Sequence, residues 1–256
     1  MTHQLTRLLG LLTLLFAAAG VARSQSTDFH VLAFYSTTVE QDHLDFAQQA
    51  IPFFQDLAKR KGFTFEATTD WNRLAQADLP RYQVVVWLDD VPSNAAQRAG
   101  FEKYMEHGGG WLGFHIAGYL DRREDWPWFA DFLGSVFSGN SWPPMPATID
   151  VDDTDSKSYP TDGMPKQFVS PANEWYCWEP SPRKSPNIHV LMTLDAKNFP
   201  LGFKDTLTGG DVPVTWTNTK YRMLYTNMGH GAKIFENPQQ NAFFARALLW
   251  LGEGAH

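Results

Sequence analysis

The chain has 256 residues, of which 43% are hydrophobic, 14% aromatic and 19% charged, a composition that excludes intrinsic disorder and collagen-like repetition and allows a sizeable core. Its 28 acidic residues outnumber 21 basic ones, giving a net charge of −7, so no cationic field is available to grip a phosphate backbone and no nucleic acid partner is expected. The single cysteine, Cys177, rules out an internal disulfide.

Residues 1–25 read as a secretory signal peptide. His3 and Arg7 precede the apolar run 8–19, and the small residues Ala22 and Ser24 lie two apart behind it. That run is short of the ~20 apolar residues a membrane-spanning helix needs, and no later stretch is longer. Residues 26–256 are therefore expected as one exported domain, periplasmic or extracellular, with no membrane span.

Residues 29–35 are an apolar run bounded by Ser36-Thr37-Thr38, which suits a buried strand. From 42 to 61, Phe46, Ala50, Phe53, Phe54, Leu57 and Ala58 recur at helical spacing. Gly62 closes that segment as a C-cap, and Pro52 predicts a kink. Residues 63–67 and 84–88 are strand candidates. Ser93 is placed to cap a helix reaching His107, with Ala96, Phe101, Tyr104 and Met105 inward, and 110–116 follows as a fourth strand. Residues 126–136 read as a short helix, and 138–170, rich in Pro, Asp and Ser, as a lid or loop around a site. Strands resume at 188–194, 213–217 and 222–227, and Asn237-Pro238 opens a last helix through Leu251. Strands alternating with helices predict a mostly parallel sheet covered on both faces, whose ligands bind at the carboxyl ends of the strands.

Gly108-Gly109-Gly110 is not a phosphate cradle. Glycines of that kind follow a strand and open a helix, whereas these end a helix and enter a strand.

The histidines at strand ends are the candidates for chemistry. Gly113-Phe114-His115-Ile116-Ala117-Gly118 has the spacing of a sharp strand-to-helix elbow with histidine in the middle. Met228-Gly229-His230 repeats that placement after another strand, and His43 lies near the start of the first helix, where it can face the same crevice. Imidazole suits proton transfer or metal ligation better than a lasting covalent bond. His107, in the last turn of a helix, and His189, opening a strand, read as structural, and Cys177 as a small buried hydrophobe. Asp89 and Asp90 end the third strand and Glu174 precedes an aromatic cluster, so each carboxylate is a candidate partner for a histidine. Trp175, Tyr176 and Trp178, with Trp142, offer flat faces for a sugar ring, with core packing as the alternative.

Several ordered blocks carry a family resemblance. Val84-Val85-Val86-Trp87-Leu88, Phe101-Glu102-Lys103-Tyr104 and Gly108-Gly109-Gly110-Trp111-Leu112-Gly113-Phe114-His115 resemble the central block of the ThuA-like (trehalose utilisation) family. Asn173-Glu174-Trp175-Tyr176, the strand from His189 to Asp195, Pro213-Val214-Thr215-Trp216 and Tyr225-Thr226-Asn227-Met228-Gly229-His230 follow in the family's order. The resemblance implies a flavodoxin-like α/β fold similar to class I glutamine amidotransferases, with helices on both faces. His115 stands where that superfamily places a cysteine, which implies no glutaminase activity. The family's recurring positions fall on His43, His115, Glu174 and His230, while Asp89-Asp90-Val91-Pro92 departs from its pattern. The family name points to carbohydrate metabolism and its members to oxidised (keto) sugars.

The expectation that follows is a sugar-active enzyme in which His115, His230, Glu174 and His43 do acid–base chemistry, an isomerisation or elimination, with no Cys or Ser nucleophile. No cofactor is required by that reading. Two alternatives use the same site: a divalent metal held by the histidines, or a non-catalytic sugar-binding module. Trp175, Tyr176, Trp178, Trp142 and Asp89 are the expected substrate contacts, and a small-molecule carbohydrate is the expected partner.

Overall fold

The computed structural model describes residues 29–254; the expected signal peptide lies outside the described residues. Fifteen helices and strands are named here in chain order. They are β1 (His30–Phe34), α1 (Gln41–Lys61), β2 (Thr64–Thr68), β3 (Val84–Trp87), α2 (Ala95–Glu106), β4 (Gly110–Phe114), α3 (Pro127–Leu133) and β5 (Val136–Asn140). There follow β6 (Met145–Val151), β7 (Gln167–Asn173), β8 (Tyr176–Glu179), β9 (Ile188–Leu194), β10 (Pro213–Asn218), β11 (Met223–Thr226) and α4 (Pro238–Glu253).

Nine strands form one sheet in the order β2-β1-β3-β4-β11-β10-β9-β6-β7. The pairs from β2 to β11 are parallel and those from β11 to β7 antiparallel. The parallel core reads as continuous apolar runs because both faces are buried. Val31, Ala33, Val84, Val86, Leu112, Phe114 and Leu224 point to the face covered by α1 and α4. Leu32, Phe34, Val85, Trp87, Trp111, Met223 and Tyr225 point to the other, covered by α2 and α3. The period-two alternation of a strand thus fills two cores at once. No helix among the described residues is long and apolar enough to cross a membrane.

Local details follow the chain's chemistry. Gly62 caps α1, its N–H donating to the Ala58 carbonyl at 2.8 Å, and α1 runs on through Pro52. Gly108 turns at φ +84° and Gly110 opens β4, so the three glycines are a helix stop and strand entry. Asn94, not Ser93, caps α2: its side chain accepts the Gln97 N–H, while Ser93 N–H donates back to Gln97 Oε1.

The stretch 138–170 is part strand and part loop, with 141–144 and 152–166 outside the strands. It contains the end of β5, all of β6 and the start of β7, and it widens the sheet. Of the prolines in that stretch, Pro143, Pro144, Pro160 and Pro165 lie in the connections and only Pro146 lies in a strand; Pro171 follows just beyond the stretch. Pro171 is on the edge strand β7, and Pro146 lies at the register shift between Met145 and Ala147. Beside the sheet, β5 and β8 form an antiparallel ribbon.

Candidate metal centre

The site lies at the carboxyl ends of the parallel strands. His115 is the first residue after β4 and has φ +45°, a left-handed conformation that a residue with a side chain holds only when its surroundings impose it. The Tyr225 hydroxyl donates to the His115 carbonyl at 2.8 Å. The loop after β11 presses on it: a Cβ at Gly229 would lie 3.0 Å from the Cβ atoms of both Phe114 and His115. The elbow expected from the glycine spacing is present, and it buries the imidazole completely.

The other ligand candidates arrive from separate elements. His43 sits in the first turn of α1, whose N-cap Glu40 accepts the Asp42 N–H at 3.1 Å. The Gly231 N–H donates to the Asp42 carbonyl at 2.9 Å, tying α1 to the loop that carries His230. Glu174 lies between β7 and β8, and its Oε1 accepts from Asn140 Nδ2 at the end of β5. Asn173 joins these pieces. Its Oδ1 accepts the N–H groups of Gly229 and His230 at 3.1 and 3.0 Å, and its Nδ2 donates to the Glu174 carbonyl at 2.7 Å.

One ligand atom from each of His43, His115, Glu174 and His230 lies within 4.8 Å of all the others. The ring centroids are 5.3 Å apart for His43 and His115, 5.1 Å for His43 and His230, and 4.9 Å for His115 and His230. Glu174 Oε2 is 3.1 Å from His115 Nε2 and 3.8 Å from His230 Nε2. The Tyr176 ring closes one side, 4.1 Å from His115. At the mouth, Glu40 Oε2 is 3.4 Å from His230 Nε2 and Asp42 Oδ2 is 3.7 Å from His230 Nδ1.

Burial sets the charge state. Desolvation, with a push from His115, lowers His43 to about 4. Desolvation lowers His115 to about 3, and desolvation with the repulsion of His115 lowers His230 to about 3. All three rings are therefore neutral near pH 7, the form that binds metal. Burial raises Glu174, opposed by His230 and His43, and burial and Asp42 raise Glu40. His43 Nε2 and His230 Nδ1 are buried with no hydrogen-bond partner, an arrangement that costs free energy unless something binds there. Three imidazoles and one carboxylate make a nitrogen-rich set with one oxygen ligand, which suits a divalent ion such as Zn²⁺.

The remaining candidates separate from this cluster. Trp142 is half-buried at the rim, its ring 6.4 Å from His230. Trp175 is fully buried with Nε1 donating to the Met145 carbonyl at 2.8 Å, and Trp178 packs on Trp216 and Tyr225 at 5.1 and 5.4 Å. Neither has a face open to a sugar; both are core, which corrects the expected platform. Tyr176 is also buried, and its contact is with His115. Asp89 is not at the surface of the crevice: it is fully buried and its Oδ1 accepts the Ser36 N–H at 2.8 Å, fixing the loop after β1. Burial pushes its carboxyl up to about 7. Asp90 accepts from Ser36 Oγ in the same loop at 2.5 Å. His107 and His189 lie outside the cluster, His107 bonding the Lys103 carbonyl and His189 pairing with Asp153 and stacking on Tyr159. Burial raises the Cys177 thiol, away from the thiolate a nucleophile needs.

Glu40, Asn140, Asn173 and Asn227 belong to the site without having been singled out. Asn173 and Asn227 stand inside the family blocks quoted above and Glu40 lies near His43; Asn140 had no such signal.

A family model for ThuA, described as trehalose utilisation, matches residues 30–251. A crystal structure of a ThuA-like protein from Bacteroides uniformis has 42% sequence identity, covers 91% of this chain and 94% of its own, and superposes with a TM-score of 0.85. A second ThuA-like protein, from Parabacteroides merdae, is 15% identical over 89% of this chain and 91% of its own, with a TM-score of 0.64. The β-galactosidase of Bacillus circulans sp. alkalophilus shares the fold over 88% of this chain and 30% of its own, at 12% identity and a TM-score of 0.50. No curated protein is a significant match.

Proposed function

The chain belongs to the ThuA family, and from that premise we propose that it is an exported, carbohydrate-active enzyme in which His43, His115, His230 and Glu174 hold one divalent cation. The observation that carries this reading is the convergence of four side chains from four separate elements to within 4.8 Å, with buried ring nitrogens left unpartnered. Such a cation supplies Lewis-acid polarisation of a sugar hydroxyl or carbonyl oxygen. The chain's own residues do the rest. Neutral imidazoles and a carboxylate make the ligand set, Asn140 and Asn173 hold Glu174 and His230 in place, and Trp142 at the rim offers a face to a sugar ring. The substrate class is a sugar or keto-sugar, in line with the family description and the rim aromatic. Export rests on the leader-like pattern of residues 1–25.

Metal-free acid–base chemistry is the second reading, favoured by the 3.1 Å contact of His115 Nε2 with Glu174. Its weakness is electrostatic. With His115 and His230 lowered to about 3, neither ring is the imidazolium that serves as a general acid near neutrality.

The two readings part in one assay. Tag-free protein stripped with a chelator and reloaded with Zn²⁺, Mn²⁺ or Co²⁺ is offered trehalose and a keto-disaccharide. Turnover that vanishes on stripping and returns with the ion is expected. Full turnover by the stripped protein would establish the acid–base mechanism instead, and binding without turnover in every state would make the protein a sugar-binding module.

A further inference from the structure

Asn227, the first residue after β11, presents two opposite groups to one ring nitrogen. Its Oδ1 accepts the Tyr176 N–H at 3.2 Å and lies 3.3 Å from Asn173 Nδ2. Those donors fix which end of the amide is oxygen, so Nδ2 is the atom 2.9 Å from His115 Nδ1. The backbone carbonyl of Asn227 lies 3.0 Å from the same Nδ1. The ring nitrogen can accept from the amide or donate to the carbonyl, and it cannot do both.

Each choice has a consequence at the far side of the ring, where Nε2 faces Glu174 Oε2 at 3.1 Å. If Nδ1 accepts, the proton is on Nε2 and donates to Glu174. If Nδ1 carries the proton and donates to the Asn227 carbonyl, a bare Nε2 lone pair faces a carboxylate oxygen, which is repulsive unless a cation sits between them. The cation-free site therefore favours one tautomer and the loaded site needs the other.

We propose that Asn227 is the positioning residue that selects the tautomer of His115 and thereby sets the site's affinity for its cation. This rests on the metal-binding reading above. Without cation, the Asn227 amide holds His115 with its proton on Nε2. On loading, the bond from Nε2 to hydrogen would break and one from Nδ1 to hydrogen would form, the Asn227 carbonyl would accept the new N–H, and the freed Nε2 lone pair and Glu174 would be the groups left to hold the cation. The ring stays neutral and no net proton leaves it. The amide opposes this exchange, so the native residue weakens binding. An aspartate in its place keeps an oxygen for Tyr176 and Asn173 and turns the other oxygen to His115 as an acceptor. That creates the carboxylate–histidine–metal arrangement that orients a ligand and raises its basicity.

The test is ¹⁵N NMR of the histidine rings together with zinc titration of the full chain. The wild type is expected to show His115 protonated on Nε2 when stripped and on Nδ1 when zinc-loaded. Asn227→Asp is expected to show the Nδ1–H form already when stripped, and to bind zinc about ten-fold more tightly. An Nδ1–H form in the stripped wild type that nonetheless binds zinc would overturn this proposal alone. So would a folded Asn227→Asp protein, verified by its NMR spectrum, with unchanged or weaker zinc affinity. A wild type that takes up no zinc while holding the Nε2–H form would instead remove the metal reading, and the cation-driven exchange with it.

Discussion

The two halves of the sheet make different contributions to one site. The parallel half, β2 to β11, ends in short loops that deliver nitrogen: His115 after β4, His230 after β11 and His43 at the start of the helix after β1. The antiparallel half and the ribbon beside it deliver oxygen and rigidity, with Glu174 between β7 and β8, Asn173 ending β7 and Asn140 ending β5. The histidine side alone would be a set of buried neutral rings with unmet nitrogens. The extension supplies the buried carboxylate of the cluster, Glu174, and the amides that lock the loop carrying His230, while Glu40 and Asp42 of the parallel half stand at its mouth. A fold common to proteins of many activities thus acquires its chemistry where an appended half meets a parallel core.

The junction is the most direct place to break this arrangement. Asn173→Ala leaves the buried N–H groups of Gly229 and His230 without their acceptor, and it is expected to cost about 2–4 kcal/mol of stability in a denaturant titration. It should also loosen the His230 loop, seen as faster amide exchange at residues 228–231. A loss within 0.5 kcal/mol would show that the two halves are held by packing alone.

A second effect separates the halves by pH. The three rings have folded-state values of about 3 to 4 against 6.5 for the free side chain. The unfolded chain therefore binds protons first, so their contribution is present above pH 6.5 and is lost as pH falls toward 3. Asp89 runs the other way. Raised to about 7 from 3.8, it favours the fold most below pH 4, and that contribution fades as pH rises through 7. Chemical denaturation of the stripped protein should show stability falling between pH 6.5 and 4, with a shallower fall in His43→Gln. An identical slope in that variant would mean that His43 is not held neutral by burial.

Much of the parallel half was legible in the sequence, because strands buried on both faces leave unbroken runs such as Val84-Val85-Val86-Trp87 and the helices show their inward spacing. His115 was legible from the glycines on either side of it, Gly113 and Gly118, where a Cβ would run into the Trp111 and Tyr225 rings. The appended half was not. Pro146 and Pro171 break the pattern of β6 and β7 at a bulge and at an edge, positions that only the sheet order reveals. Trp175 and Trp178 misled in the opposite direction, since an aromatic run at a short strand looks alike whether it faces a ligand or fills the core. Glu174 was marked by its place before the aromatic run and again by the family pattern, whereas Asn227 acts through two groups whose partners lie 51 and 112 residues away in sequence.

The central claim is that the four converging side chains hold one cation. Elemental analysis of tag-free protein dialysed against Zn²⁺, Mn²⁺ and Co²⁺, with His115→Ala and Glu174→Gln prepared alongside, tests it. One equivalent of a single metal in the wild type is predicted, with affinity reduced more than ~100-fold in His115→Ala and about 10- to 100-fold in Glu174→Gln. A folded wild type that retains no metal, or that binds it equally well in both variants, would contradict the account.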